Sequence, residues 1–121
     1  MSRILVIDDD PENREILRIR LEQSGHEVKE APNGEEGLRL SEEFLPHLIF
    51  LDVMMPKVDG LQVCREIKSN PKTERIPVIM LTACDQQIDK LRGWENGADE
   101  YLAKPWDPAK LLEVVGKWCP S

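Results

Sequence analysis

Three four-residue runs, Ile4-Leu5-Val6-Ile7, Leu48-Ile49-Phe50-Leu51 and Val78-Ile79-Met80-Leu81, are apolar without interruption and recur along the 121-residue chain. A strand with one wet face alternates polar and apolar side chains, so an unbroken apolar run marks a strand covered on both faces. Such strands lie centrally in parallel sheets, where each connection needs a crossover, normally a helix. The intervening stretches supply those helices. Ile16, Leu17, Leu21 and Ser24 share a helical face, Pro11 fits the first turn, and Gly25 stops a helix expected over about residues 11 to 24. Asn33-Gly34 turns into a second helix that carries Leu38 and ends before Pro46. Asp59-Gly60 opens a third, with Leu61, Cys64 and Ile67 inward and Asn70-Pro71 at its close. Asp85 caps a fourth that bears Ile88 and Leu91 and stops at Gly97. Asp107-Pro108 starts a fifth, with Leu111, Leu112, Val115 and Trp118 as its buried stripe.

Two weaker strands complete the alternation: Glu27-Val28-Lys29-Glu30-Ala31, patterned as a sheet edge, and Glu100-Tyr101-Leu102-Ala103. Five βα units in succession predict an α/β fold. We expect a single doubly wound five-stranded parallel sheet flanked by five helices, one domain over residues 1–121, without linker, repeat or low-complexity segment.

Charge and cysteine usage narrow the function. Sixteen basic side chains against 23 acidic ones leave a net charge of −7. Contact with nucleic-acid phosphates is supplied mainly by Lys and Arg, so direct nucleic-acid binding by this domain is not expected, and a cation or a basic partner surface fits better. No apolar run approaches the roughly 20 residues of a spanning helix, and the first strand leads straight into three aspartates, so neither membrane anchor nor signal peptide is expected. Cys64, Cys84 and Cys119 are odd in number and lack metal or redox spacing, which points to free thiols and a cytoplasmic location.

In an open α/β sheet, ligands bind at the carboxyl ends of the strands. The first strand ends in Asp8-Asp9-Asp10, the third in Asp52, the fourth in Thr82 and the fifth in Lys104-Pro105. Taken singly, each has a bland reading: the aspartates as helix caps, Asp10 above all, Thr82 as a packed hydroxyl and Lys104 as a solvated amine. Together they place carboxylates, a hydroxyl and an amine on one rim. Adjacent carboxylates repel unless a cation neutralises them, and oxygen-only ligands select a hard ion such as Mg²⁺. Cys64 reads as core, and Met54 and Met55 as loop packing, because a hard cation refuses thioether sulfur. His26 and His47 fall at strand entries, away from this rim.

The combination Ile7-Asp8-Asp9, Leu51-Asp52-Val53-Met54-Met55-Pro56 with Asp59-Gly60, Leu81-Thr82-Ala83, and Gly97 through Pro105 resembles the receiver domain of two-component response regulators over essentially the whole chain. The resemblance implies a flavodoxin-like strand order, 2-1-3-4-5. It implies that Asp52 is the phosphoacceptor and that Mg²⁺, or Mn²⁺, is held by Asp9, Asp52 and the backbone carbonyl of Met54, with Asp8 acting through water. Thr82 would hydrogen-bond the phosphoryl group, Lys104 would pair with it, and Tyr101 would be the aromatic switch. Lys104-Pro105 matches a peptide bond that is usually cis. The implied partners are a sensor histidine kinase or His-containing phosphotransfer protein, a downstream output protein or domain, and a second copy of the chain through helix 4, strand 5 and helix 5. Self-catalysed phosphorylation and dephosphorylation, without turnover of an external substrate, would follow.

Some positions depart from the commonest pattern. Gly37 stands where alanine is frequent and should weaken the second helix by roughly a kcal/mol. Trp106 replaces a common phenylalanine. Trp94 on the fourth helix either packs on its neighbours or joins Tyr101 and Trp118 in an aromatic patch, and Cys84 either tunes water access to the site or fills space. Two other readings remain. A degenerate receiver would bind partners without phosphorylation. A haloacid-dehalogenase-type phosphohydrolase shares the Asp8-x-Asp10 start but wants Thr or Val where Glu12 stands, and it needs a late acidic motif and a cap.

Overall fold

Strand β1 (Arg3–Ile7) pairs in parallel with β2 (Glu27–Ala31) on one side and β3 (Leu48–Asp52) on the other. β4 (Val78–Thr82) and β5 (Glu100–Ala103) extend the sheet beyond β3, giving the order β2-β1-β3-β4-β5 with every pair parallel. In this computed structural model the described residues are 2–53, 60–82, 97–104 and 106–119. Four helices lie among them: α1 (Pro11–Gln23), α2 (Gly34–Phe44), α3 (Gly60–Ser69) and α4 (Pro108–Trp118). The last is the fifth helix of the sequence reading. The helix expected to bear Ile88 and Leu91 lies outside the described residues, as do Cys84 and Trp94.

The unbroken apolar runs are explained by the packing. Along β1, Leu5 and Ile7 face a core built with Leu61, Val63, Cys64 and Ile67 of α3 and flanked by Leu38 and Leu40 of α2. Ile4 and Val6 face the opposite core, with Leu17 and Leu21 of α1 and Leu111, Val114 and Val115 of α4. Both faces of the central strands are therefore dry, as the doubly wound arrangement requires. β2 is an edge and shows it, burying fully only Ala31.

Helix starts follow local chemistry. The carboxylates of Asp10 and Asp107 accept the backbone N–H groups of Glu12 and Ala109, and each cap is followed by proline at the first helical position. Asn33 caps α2 by accepting the Glu36 N–H.

Three expectations are corrected. Ile16 is 50% exposed and Leu112 44%, so neither belongs to its helix's buried stripe. Leu17 and Leu21, four apart, carry the α1 face, and Val114 joins Leu111 and Val115 in α4, because a residue adjacent in sequence is turned about 100° away. Ser24 caps the end of α1 and is exposed. Gly37 has a steric role: a Cβ there would stand 2.5 Å from Cδ1 of the buried Ile7.

Candidate functional site

The carboxyl ends of β1, β3, β4 and β5 lie side by side, with Asp52 opposite Leu81 and Thr82 opposite Ala103. Asp8 directly follows β1 and is wholly buried. Its Oδ1 accepts the Asp10 N–H at 3.0 Å, and its Oδ2 accepts from Nζ of Lys104 at 3.1 Å. The same ammonium stands 3.3 Å from Oδ2 of Asp52, which is itself buried. Asp9 is exposed, and one carboxylate oxygen from each of Asp8, Asp9 and Asp52 falls within 4.8 Å of the others. Lys104 is held in place by its own backbone, whose N–H donates to the Thr82 carbonyl at 2.8 Å.

Electrostatics explain why these groups tolerate burial. Desolvation alone would lower the Lys104 ammonium, but Asp52 and then Asp8 more than reverse it, so the lysine stays charged with its affinity for the proton raised. Among the described residues, the Lys104 ammonium meets the carboxylates of Asp8 and Asp52, and Asp9 adds a third beside them. Their oxygen-only donor set, close spacing and partial exposure through Asp9 fit a hard divalent cation of the Mg²⁺ type.

Thr82 ends β4 with its side chain buried. By strand alternation it follows Val78 and Met80 toward the α3 side of the sheet, whereas Asp52 follows Leu48 and Phe50 toward the other. Tyr101, paired with Met80, packs against that same α3-side core, so Thr82 and Tyr101 share a face. Gly60 lets α3 start directly against the end of β3: its N–H donates to the Val53 carbonyl, and a Cβ would run into the backbone of Asp52 and Val53.

Asp8, Asp9, Asp52 and Lys104 thus come together, with Thr82 on the neighbouring strand end. Asp10 serves as the α1 cap. Met54, Met55, Asp59 and Pro105 lie outside the described residues. His26 and His47 sit at the opposite rim, where their Nδ1 atoms accept the backbone N–H groups of Ser2 and Arg3. Sequence reasoning passed over Arg14, whose Nη1 donates to the Asp8 carbonyl at 2.7 Å, and Glu30, which stands 3.3 Å from Arg14 and 3.0 Å from Arg18. The available signal was an arginine near the amino-terminal end of a helix, where the macrodipole disfavours a cation.

The model of the response regulator receiver domain matches residues 4–116. The chain is 46% identical over 115 residues to the DNA-binding dual master transcriptional regulator RpaA of Synechocystis, covering 95% of this chain and 48% of that protein. It is 39% identical to protein PilH of Pseudomonas aeruginosa, covering 95% of each. The chain therefore spans about half the length of RpaA and nearly all of PilH. Among solved structures, the receiver domain of the sensor histidine kinase PA1611 from Pseudomonas aeruginosa, with magnesium coordinated in its active-site cleft, superposes with a TM-score of 0.90 at 31% identity, covering 99% of this chain and 98% of that one. Among the described residues, no helix is long and apolar enough to cross a membrane.

Proposed function

Because this chain belongs to the response regulator receiver domain family, we propose that it is a phosphoacceptor of two-component signalling, with Asp52 taking a phosphoryl group from a sensor histidine kinase or a His-containing phosphotransfer protein. The observation that carries this reading is the meeting of Asp52 with Asp8, Asp9 and Lys104 at the carboxyl edge of the sheet.

In the transfer, an Asp52 carboxylate oxygen forms the new bond to phosphorus while the bond to the donor nitrogen breaks and its electron pair leaves with the imidazole. Carboxylate and phosphoryl group are both anionic, so positioning and charge compensation are the protein's main contributions. Mg²⁺ or Mn²⁺, held by Asp9, Asp52 and the Met54 carbonyl with Asp8 behind a water, would supply much of that compensation. Lys104 pairs with the phosphoryl oxygens, and the Thr82 hydroxyl donates to them. Phosphorylation gives the Asp52 side chain acceptor oxygens it lacked, which draw Thr82 inward. Tyr101, on the same face, then turns toward the space behind the threonine and alters the surface of β5, α4 and the expected helix between Thr82 and Gly97. An output protein or domain, or a second copy of the chain, reads that surface. Water attack on the acyl phosphate resets the domain, and no external substrate is turned over. A cytoplasmic location follows from this role.

Incubation with Mg²⁺ and acetyl phosphate tests the reading by intact mass. One added phosphoryl group is expected, absent in Asp52→Asn and in the presence of chelator. A wild-type chain that gains no mass would favour a degenerate, binding-only receiver, and multiple turnover of an external phosphate ester would favour a phosphohydrolase.

A further inference from the structure

Arg14 stands one turn into α1, yet its guanidinium reaches back out of the helix. Nη1 donates to the Asp8 carbonyl at 2.7 Å, and Nε lies 3.3 Å from Oε1 of Glu30 on β2. That second contact is an ion pair without hydrogen-bond alignment, since the buried Nε has no hydrogen-bond acceptor. The other Glu30 oxygen, Oε2, is engaged 3.0 Å away by Nε of Arg18. Glu30 is thus braced between two arginines of α1, and it braces Arg14 in turn.

The carbonyl that Arg14 holds belongs to the peptide unit joining Asp8 to Asp9. On the far side of Asp8, its N–H donates to the Ala31 carbonyl of β2 at 3.1 Å. Both backbone groups of Asp8 are therefore tied toward β2, one directly and one through Arg14 and Glu30. Rotation of this peptide unit would swing the Asp9 carboxylate and disturb the Asp8 carboxylate that carries the bonds to Asp10 N–H and Lys104 Nζ. The Arg14 side chain is only 16% exposed, and its cation lies near the helix end where the macrodipole opposes it. These features suit a fixed strut better than a solvated surface arginine.

We propose that Arg14 is a positioning residue of the acceptor site: by clamping the Asp8–Asp9 peptide against β2 through Glu30, it holds two carboxylates in the arrangement that shares a divalent cation with Asp52. The proposal rests on the phosphoacceptor reading above. It also makes a prediction opposite in sign to simple electrostatics. A guanidinium beside a cation site repels the cation, so losing its charge alone would tighten Mg²⁺ binding. Losing the clamp weakens it.

Calorimetric titration of the full chain with Mg²⁺ separates the two. Arg14→Met should lower Mg²⁺ affinity about tenfold, the low end for groups that orient metal ligands. Arg14→Lys, which can still donate to the Asp8 carbonyl, should recover most of the loss. Arg18→Met, which touches Glu30 but not Asp8, should stay within about twofold of wild type, because a partly solvated ion pair contributes little. In phosphorylation by acetyl phosphate, the Arg14→Met defect should appear as a raised Mg²⁺ half-saturation, with the rate at saturating Mg²⁺ near that of wild type. Unchanged or tighter Mg²⁺ binding by folded Arg14→Met overturns the proposal. If that variant does not fold, Arg14→Gln, which removes the same charge, decides: weaker Mg²⁺ binding supports the clamp and unchanged or tighter binding removes it. A wild-type chain that binds no Mg²⁺ would instead overturn the acceptor-site reading on which the clamp depends, and all variants would then be equally silent.

Discussion

Lys104 and Asp8, 96 residues apart in the chain, form a 3.1 Å ion pair in which the carboxylate is fully buried and the ammonium retains a fifth of its exposure. The pair joins the fifth strand's end to the first strand's end across β3 and β4. Its stability role depends on what else neutralises the site. With Mg²⁺ chelated, Lys104→Met removes the ammonium that stands between the buried Asp8 and Asp52, and we expect a loss of about 2 kcal/mol in urea denaturation at neutral pH, less than for a fully buried pair because the lysine is partly solvated. Added Mg²⁺ should restore most of it and should bind the variant more tightly than wild type. Equal destabilisation with and without Mg²⁺ would show that the lysine acts through packing.

Much of this was legible from residue order. The apolar runs place β1, β3 and β4 inside the sheet, and Asp8 after β1 and Asp52 at the end of β3 meet at Lys104. What periodicity could not resolve was rotation about a helix axis: Ile16 and Leu112 are apolar neighbours of buried positions, and only the angle to the sheet excludes them. Pairings between a helix and a non-adjacent strand were equally hidden. The Arg14–Glu30 contact depends on how α1 lies against β2, and no local pattern records that. Gly37 looked like a weak point in α2 because propensity is a property of one helix, whereas the contact with Ile7 belongs to two elements.

The rim opposite the site should be acid-sensitive. The Nδ1 of His26 accepts the Ser2 N–H, which requires a neutral imidazole at that atom. Burial, and secondarily the charge of the amino terminus, holds its proton affinity below the ordinary value of 6.5. The unfolded chain therefore binds this proton first as pH falls. Stability from His26 is full above about pH 6.5 and is lost as pH drops from there through the lowered folded value. Urea midpoints measured between pH 8 and pH 5, values chosen to bracket the unperturbed imidazole at about 6.5, should decline more steeply for wild type than for His26→Asn. The variant itself should be about 1 kcal/mol less stable at high pH if its amide cannot replace the bond. Parallel pH profiles would remove His26 as the sensor.

Leu45 ends α2 in the left-handed region, with φ of 47°, although it is not glycine, and the residue is 46% exposed. Arg3 anchors this turn by donating from Nη2 to the Leu45 carbonyl at 2.8 Å and from Nε to the Phe44 carbonyl at 3.1 Å. The backbone contacts do not need the leucine side chain. Leu45→Gly should relieve the Cβ strain and raise stability by about 0.5 kcal/mol after the added freedom of the unfolded chain is counted. A lower urea midpoint in the variant would mean that the exposed leucine contributes more by packing than it costs in strain.

Gly37 and Ile7 provide the sharpest test of packing between α2 and the sheet. On helix propensity alone, Gly37→Ala should stabilise the chain by about 1 kcal/mol. The new methyl, however, would meet Cδ1, Cγ1 and Cγ2 of Ile7 at 2.5, 2.9 and 3.0 Å, and Ile7 is fully buried beneath α2. Rotating one terminal methyl cannot clear all three atoms. Overpacking of this kind costs about 1–3 kcal/mol, which outweighs the gain, so Gly37→Ala alone should be destabilising. Ile7→Val removes Cδ1, the atom in closest conflict, and by itself should cost about 1 kcal/mol as a buried methyl deletion. In the double variant the two changes should compensate, with a favourable coupling of about 1 kcal/mol in a thermodynamic cycle measured by urea denaturation. Additive effects would show that α2 shifts away from β1 to admit the methyl, and a stabilised single variant would show that propensity outweighs contact at this position.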